Sequence, residues 1–172
     1  MGLIGPTVAA PYGLVKAYAE LLVKDIPAGD FAKKPKGIDA NSPAFNFGHL
    51  CVYPDRLLEM LGRMELMKPD PRYAEWFAAG KVCVDDPECK VYPGKDEIMS
   101  RFFDRYGAAA AAVSEASDEV LRAPNPSQNE RMRSLFPQMG MMCAFLLDGH
   151  CQTHLGQVSV WRRCMGLPSA GV

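Results

Sequence analysis

A chain of 172 residues, 48% hydrophobic and 23% charged, has the length and composition of one globular domain that can bury a sizeable core. With 19 basic against 20 acidic residues and a net charge of -1, it offers no basic field to nucleic acid or to an anionic membrane surface. No apolar run reaches the roughly 18 residues needed to cross a bilayer.

The first predicted helix runs from Pro6 to Ile26. Val8, Tyr12, Val15, Ala19, Leu22 and Ile26 recur at spacings of four and three, and Pro27 and Gly29 end it. Residues 27–41, rich in Gly, Pro, Lys and Asp, read as a surface connection. The second helix starts at Ser42, a good N-cap, with Pro43 at the first helical position. It continues through His49 to Arg63, and Pro54 should kink it a turn below His49.

Residues 65–94 are broken repeatedly by proline and glycine, with one short helix expected from Tyr73 to Ala78. A connection this long in a compact bundle either covers a site or simply links distant helix ends. The third helix is predicted from Lys95 to Leu121, with the alanine run 108–112 allowing close approach of a neighbour. A polar turn follows. The fourth helix should run from Ser134 to Met165, buried along Phe136, Met139, Cys143, Leu146, His150, Thr153, Gln157, Val160 and Cys164, and Gly166 and Pro168 stop it. Arg162 and Arg163 near its end read as surface cations that suit the helix dipole. No segment has a strand period. The expected fold is an all-α four-helix bundle in one domain, with a long connection between the second and third helices.

Six cysteines include no CxxC pair, and the opening Met1-Gly-Leu-Ile-Gly-Pro6 has no basic stretch ahead of an apolar one. Together these predict reduced thiols in a cytoplasmic protein.

Only three histidines occur: His49, His150 and His154. An (i, i+4) pair leaves one face of a helix about a turn apart, so the rings of His150 and His154 can converge on one point. His49, on the only other helix with an imidazole, is the natural third ligand. Three imidazoles with open positions form a metal site that could activate water or hold a thiolate substrate. Zinc suits such a site best, and nickel or iron also suit it. The Glu of a His-Glu-x-x-His peptidase is missing, with Cys151 in its place, and Cys151 should point about 100° away from the pair. Gln157, three after His154, can orient a ligand or make a helix–helix hydrogen bond. Tyr53, one turn after His49, can reach the pocket with its hydroxyl or pack in the core.

Two segments resemble a known family. Asn41-Ser-Pro-Ala-Phe-Asn-Phe-Gly-His49-Leu is similar to the second-helix signature of the DinB/YfiT-like superfamily. His150-Cys-Gln-Thr-His154-Leu-Gly-Gln157-Val, followed by Trp161-Arg-Arg-Cys-Met-Gly166-Leu-Pro168, is similar to its closing signature. The likeness runs over nearly the whole chain. It implies an up-down-down-up four-helix bundle, a divalent metal on His49, His150 and His154, and a homodimer. Characterised branches of that family are thiol-dependent transferases and isomerases using small thiols such as bacillithiol or mycothiol, and other members are described as metal-dependent hydrolases. The chain departs from the pattern at Cys151, where an acidic residue is frequent. The expected partners are thus a small-molecule substrate and a low-molecular-weight thiol, with no nucleic acid and no membrane. The alternative expectation is a non-catalytic metal-binding bundle.

Overall fold

The computed structural model describes residues 2–171. The protein is all-helical, with no strand among the described residues. Among the described residues no helix is long and apolar enough to cross a membrane. Each of the long helices expected from the sequence is present but interrupted.

The first is divided into α1 (Ile4–Ala9) and α2 (Tyr12–Val23). Ala10 and Pro11 keep helical dihedrals, but Pro11 has no N–H to donate, and the turn closes through shorter bonds from Gly13 to Ala10 and from Leu14 to Pro11. Tyr12, Val15, Ala19 and Leu22 form the expected buried stripe. At its C-terminal end the carbonyls of Val23 and Ile26 accept hydrogen bonds from Lys95 Nζ at 2.6 and 2.7 Å.

The second is divided into α3 (Pro43–Leu50) and α4 (Tyr53–Met60), because Pro54 cannot bond back to the carbonyl of Leu50. Ser42 caps α3 as expected, its Oγ accepting from the Phe45 N–H at 3.3 Å. Every residue of α3 is buried. The helix is enclosed by α6 (Lys95–Glu115), α10 (His150–Cys164) and α5 (Pro71–Phe77). The approach of α5 depends on Gly48: a Cβ there would lie 2.5 Å from the Phe77 ring, so only glycine admits that ring against the helix. α6 stops at Ala116, after which Ser117 caps the short α7 (Asp118–Arg122) by accepting from the Val120 N–H.

The fourth expected helix opens with a separate turn, α8 (Glu130–Leu135), and continues as α9 (Met139–Ala144), a π-helical segment (Phe145–Gly149) and α10. The π segment corrects the expected stripe. Met139, Cys143 and Leu146 are buried as expected, but Thr153, Gln157, Val160 and Cys164 are exposed, and Cys151, Leu155, Val158 and Trp161 are buried instead. A π turn holds one residue more than an α turn, so the buried line advances by one position after residue 149.

The same shift overturns the surface placement of Arg162, whereas Arg163 is exposed as expected. Arg162 is 1% exposed. Its guanidinium pairs with the Asp25 carboxylate and donates to the carbonyls of Leu22 (2.6 Å) and Pro168 (3.0 Å). Gly166, with φ +77, turns the chain out of α10 so that Pro168 can reach that guanidinium. The core between these helices is strongly aromatic, with Phe31 on Phe47, Phe47 on Phe102 and Phe102 on Tyr106.

Candidate metal centre

The break between α3 and α4, the π segment and the start of α10 meet at one place. His49 ends the last turn of α3, and His150 and His154 begin α10 on its edge toward α3. The ring centroids lie 5.4 Å (His49 to His150), 4.7 Å (His49 to His154) and 4.8 Å (His150 to His154) apart. One nitrogen from each ring lies within 4.8 Å of the other two, so the three histidines could hold a metal ion. Their convergence is what the sequence led us to expect.

Hydrogen bonds fix two of the rings. The Phe77 carbonyl can only accept, so His49 carries its proton on Nδ1 and donates it across 2.7 Å. This leaves Nε2 with a lone pair, toward which the Tyr53 hydroxyl donates at 3.2 Å. Asn46 does the same for His154. Its Nδ2 donates to the carbonyl of Ser42 at 3.1 Å, so its Oδ1 faces His154 and accepts from Nδ1–H at 2.8 Å. His154 Nε2 is thereby also the lone-pair nitrogen. His150 differs: its Nδ1 is buried and has no partner among the described residues. An orphaned nitrogen of this kind costs roughly 1–3 kcal/mol unless something satisfies it. Neutral imidazoles with fixed tautomers and one unsatisfied ring form a donor set that fits a divalent cation.

The electrostatics agree. Burial pushes all three imidazoles below their ordinary value. His150 falls to about 4, with His49 adding to the effect of burial, and His154 to about 3, with His150 and His49 adding. At neutral pH all three are therefore uncharged and free to ligate. In metal-free protein the unfolded chain takes up protons below the ordinary 6.5, while folded His150 resists to about 4. The contribution to stability is thus complete above about pH 7 and is lost as pH falls from there toward 4. We expect the urea midpoint of chelator-treated protein to drop between pH 7 and pH 5, and to drop less in the double variant His150→Leu/His154→Leu. Equal slopes for both proteins would refute the assignment.

Compared with protein-family models and with curated proteins, the chain matches none of either. The chemistry of the site is therefore read from its own residues.

Of the other residues singled out in the sequence, Tyr53 is at the centre: its hydroxyl meets His49, and its ring lies 4.5 Å from that of His150. Burial raises its phenol above the ordinary value, so it stands as a neutral donor. Gln157 is exposed, and its Oε1 accepts from Asn41 Nδ2 at 3.3 Å, across the gap between α10 and the segment leading into α3. Cys151 is buried, its Sγ directed to the Leu146 carbonyl.

Sequence reasoning missed Asn46 and Phe77. Asn46 had a signal: it is a polar residue three before His49 in an otherwise apolar helix, hence on the same face. The Phe77 contribution is a backbone carbonyl and leaves no trace in residue identity. Replacing Asn46 by leucine removes the acceptor that holds His154. We expect metal affinity to fall by roughly 10–100-fold, measured by competition with a chromogenic chelator; an unchanged affinity would show that Asn46 has no part in ligand orientation.

Proposed function

We propose that this chain is a DinB/YfiT-like protein that binds a divalent metal through His49, His150 and His154 and uses it as an enzyme on a small molecule. The reaction is a thiol-dependent transfer or a hydrolysis. The observation that carries the reading is the preorganised histidine trio, with two tautomers set by Phe77 and Asn46 and three neutral rings whose donor atoms lie within 4.8 Å. When bound, the ion supplies Lewis acidity, which lowers the pKa of a water or thiol placed against it.

The chain's own residues supply the rest. The three imidazoles bind, Phe77 and Asn46 hold the rings in register, and the Tyr53 hydroxyl presents a proton beside His49. The enzyme is favoured over a passive metal store by an open cleft that has His150 in its wall. Zinc is the expected ion, with nickel or iron as the competitors. The rest of the reading is an up-down-down-up bundle, a homodimeric assembly and a cytoplasmic setting.

The test is metal analysis of the purified protein, followed by turnover of a chromogenic electrophile with and without a panel of small thiols. Activity that disappears on chelation and returns with one metal supports the enzyme. Stoichiometric metal without turnover of any electrophile, with or without thiol, would leave the passive bundle.

A further inference from the structure

Beside the histidines lies a cleft of about 350 Å³, at the small end of the range for small-molecule sites. Its walls are of two kinds. Met60, Met132, Met142, Phe145 and Leu146 supply its apolar surface, and Phe145 is braced by stacking on Phe136 at 4.5 Å between centroids. Methionines with an aromatic ring make an adaptable lining that accepts flat apolar groups well. His150, Tyr53, Arg56, Ser127 and Asn129 supply its polar groups.

Arg56 is the unusual member. It is exposed, and it pairs with no carboxylate among the described residues. Its guanidinium lies over the Tyr53 ring instead, Cζ 5.4 Å from the centroid, while the hydroxyl of the same ring meets His49. No acidic residue lines the cleft. A single cation with no paired carboxylate among the described residues thus stands within one tyrosine of the histidines, in a cleft whose surface is mainly apolar. The π segment is a second, independent sign. Insertions of this kind are frequent at functional sites, and this one carries Phe145 and Leu146 into the cleft immediately before His150.

We infer that the cleft takes a small monocarboxylate with an aromatic or branched apolar body. Its carboxylate pairs with Arg56 and its body lies against Met132, Met142 and Phe145. The inference rests on the metal reading only for the role of His150; the cation that takes the carboxylate and the apolar contacts are supplied by the chain itself. Guanidinium–carboxylate pairing is bidentate and directional, so it sets which end of the ligand faces Tyr53 and the histidines.

The test is calorimetric titration of the purified protein with phenylacetate, phenylacetamide and acetate. It is repeated after chelation and on Arg56→Gln, an exposed substitution that leaves the metal ligands in place. Phenylacetate is expected to bind at least about tenfold tighter than either control, and Arg56→Gln to lose about tenfold or more for phenylacetate while phenylacetamide is unchanged. Met132→Glu, which places a like charge in the apolar wall, should weaken phenylacetate further with its melting profile retained. Acetate binding as tightly as phenylacetate, or Arg56→Gln without effect, would overturn the inference. Should the protein hold no metal, an Arg56-dependent preference for phenylacetate in the chelated sample would still uphold the cleft while the metal reading fell. Metal binding without that preference would do the reverse.

Discussion

His150→Leu should abolish metal binding and leave the metal-free protein as stable as before, or more so. The loss of one of three ligands should exceed the roughly 10–100-fold penalty that follows removal of a supporting partner. The second half follows from the orphaned Nδ1: leucine fills a similar volume and brings no polar atom that needs a partner. With a divalent ion at about a hundred times its dissociation constant, the wild-type chain gains about 2.7 kcal/mol, which is roughly 5–10 °C of melting temperature for a domain of this size. The variant should gain nothing. Scanning calorimetry of both proteins, with metal and with chelator, gives all four values. An equal metal-dependent rise in His150→Leu would remove that imidazole from the site. A large drop in its metal-free melting temperature would mean the ring is structural.

Arg162→Met is the substitution expected to cost the most stability. The guanidinium is buried and satisfies groups from three parts of the chain: Asp25 after α2, the Leu22 carbonyl within it, and the Pro168 carbonyl in the C-terminal segment. Methionine keeps much of the apolar stem and leaves those acceptors without a donor. Asp25 is exposed, so water can replace the guanidinium there, and the cost falls mainly on the buried Leu22 carbonyl left without that donor, about 1–3 kcal/mol; a fall of several degrees in melting temperature follows. Arg162→Lys should recover only part, because one ammonium cannot span a carboxylate and two carbonyls in the guanidinium's planar geometry. A change under about 2 °C in Arg162→Met would show that the cluster contributes little.

Both substitutions lie on α10, and the two residues differed in how far the sequence revealed them. The histidines were legible because their spacing is a local property. Four residues on an α-helix fix the direction of His150 relative to His154 whatever surrounds them, and His49 was the only third imidazole available. The cap at Ser42 and the interruption at Pro54 were legible for the same reason, since each depends on one residue's own hydrogen-bonding capacity. Arg162 was misplaced because its environment depends on phase. The phase was set by an insertion at Phe145–Gly149 that no residue in that stretch announces. Gln157 belongs to the same case: an unbroken helix would have carried it along the buried line, and after the insertion it lies at the surface against Asn41.

The sequence by itself determined an all-helical chain, the helix start at Ser42, the interruption at Pro54, and the three side chains able to hold a metal. These follow from capping, proline geometry and (i, i+4) spacing, which act over one or two turns. Only the tertiary structure decided which helix face is buried after residue 149, that Asn46 and the Phe77 carbonyl hold the imidazole rings, and that Arg56 stands unpaired at an apolar cleft beside them. Those outcomes come from contacts between segments far apart in the chain, such as the 108 positions between Asn46 and His154, and nothing in the local sequence encodes which distant atom fills the last place around a ring.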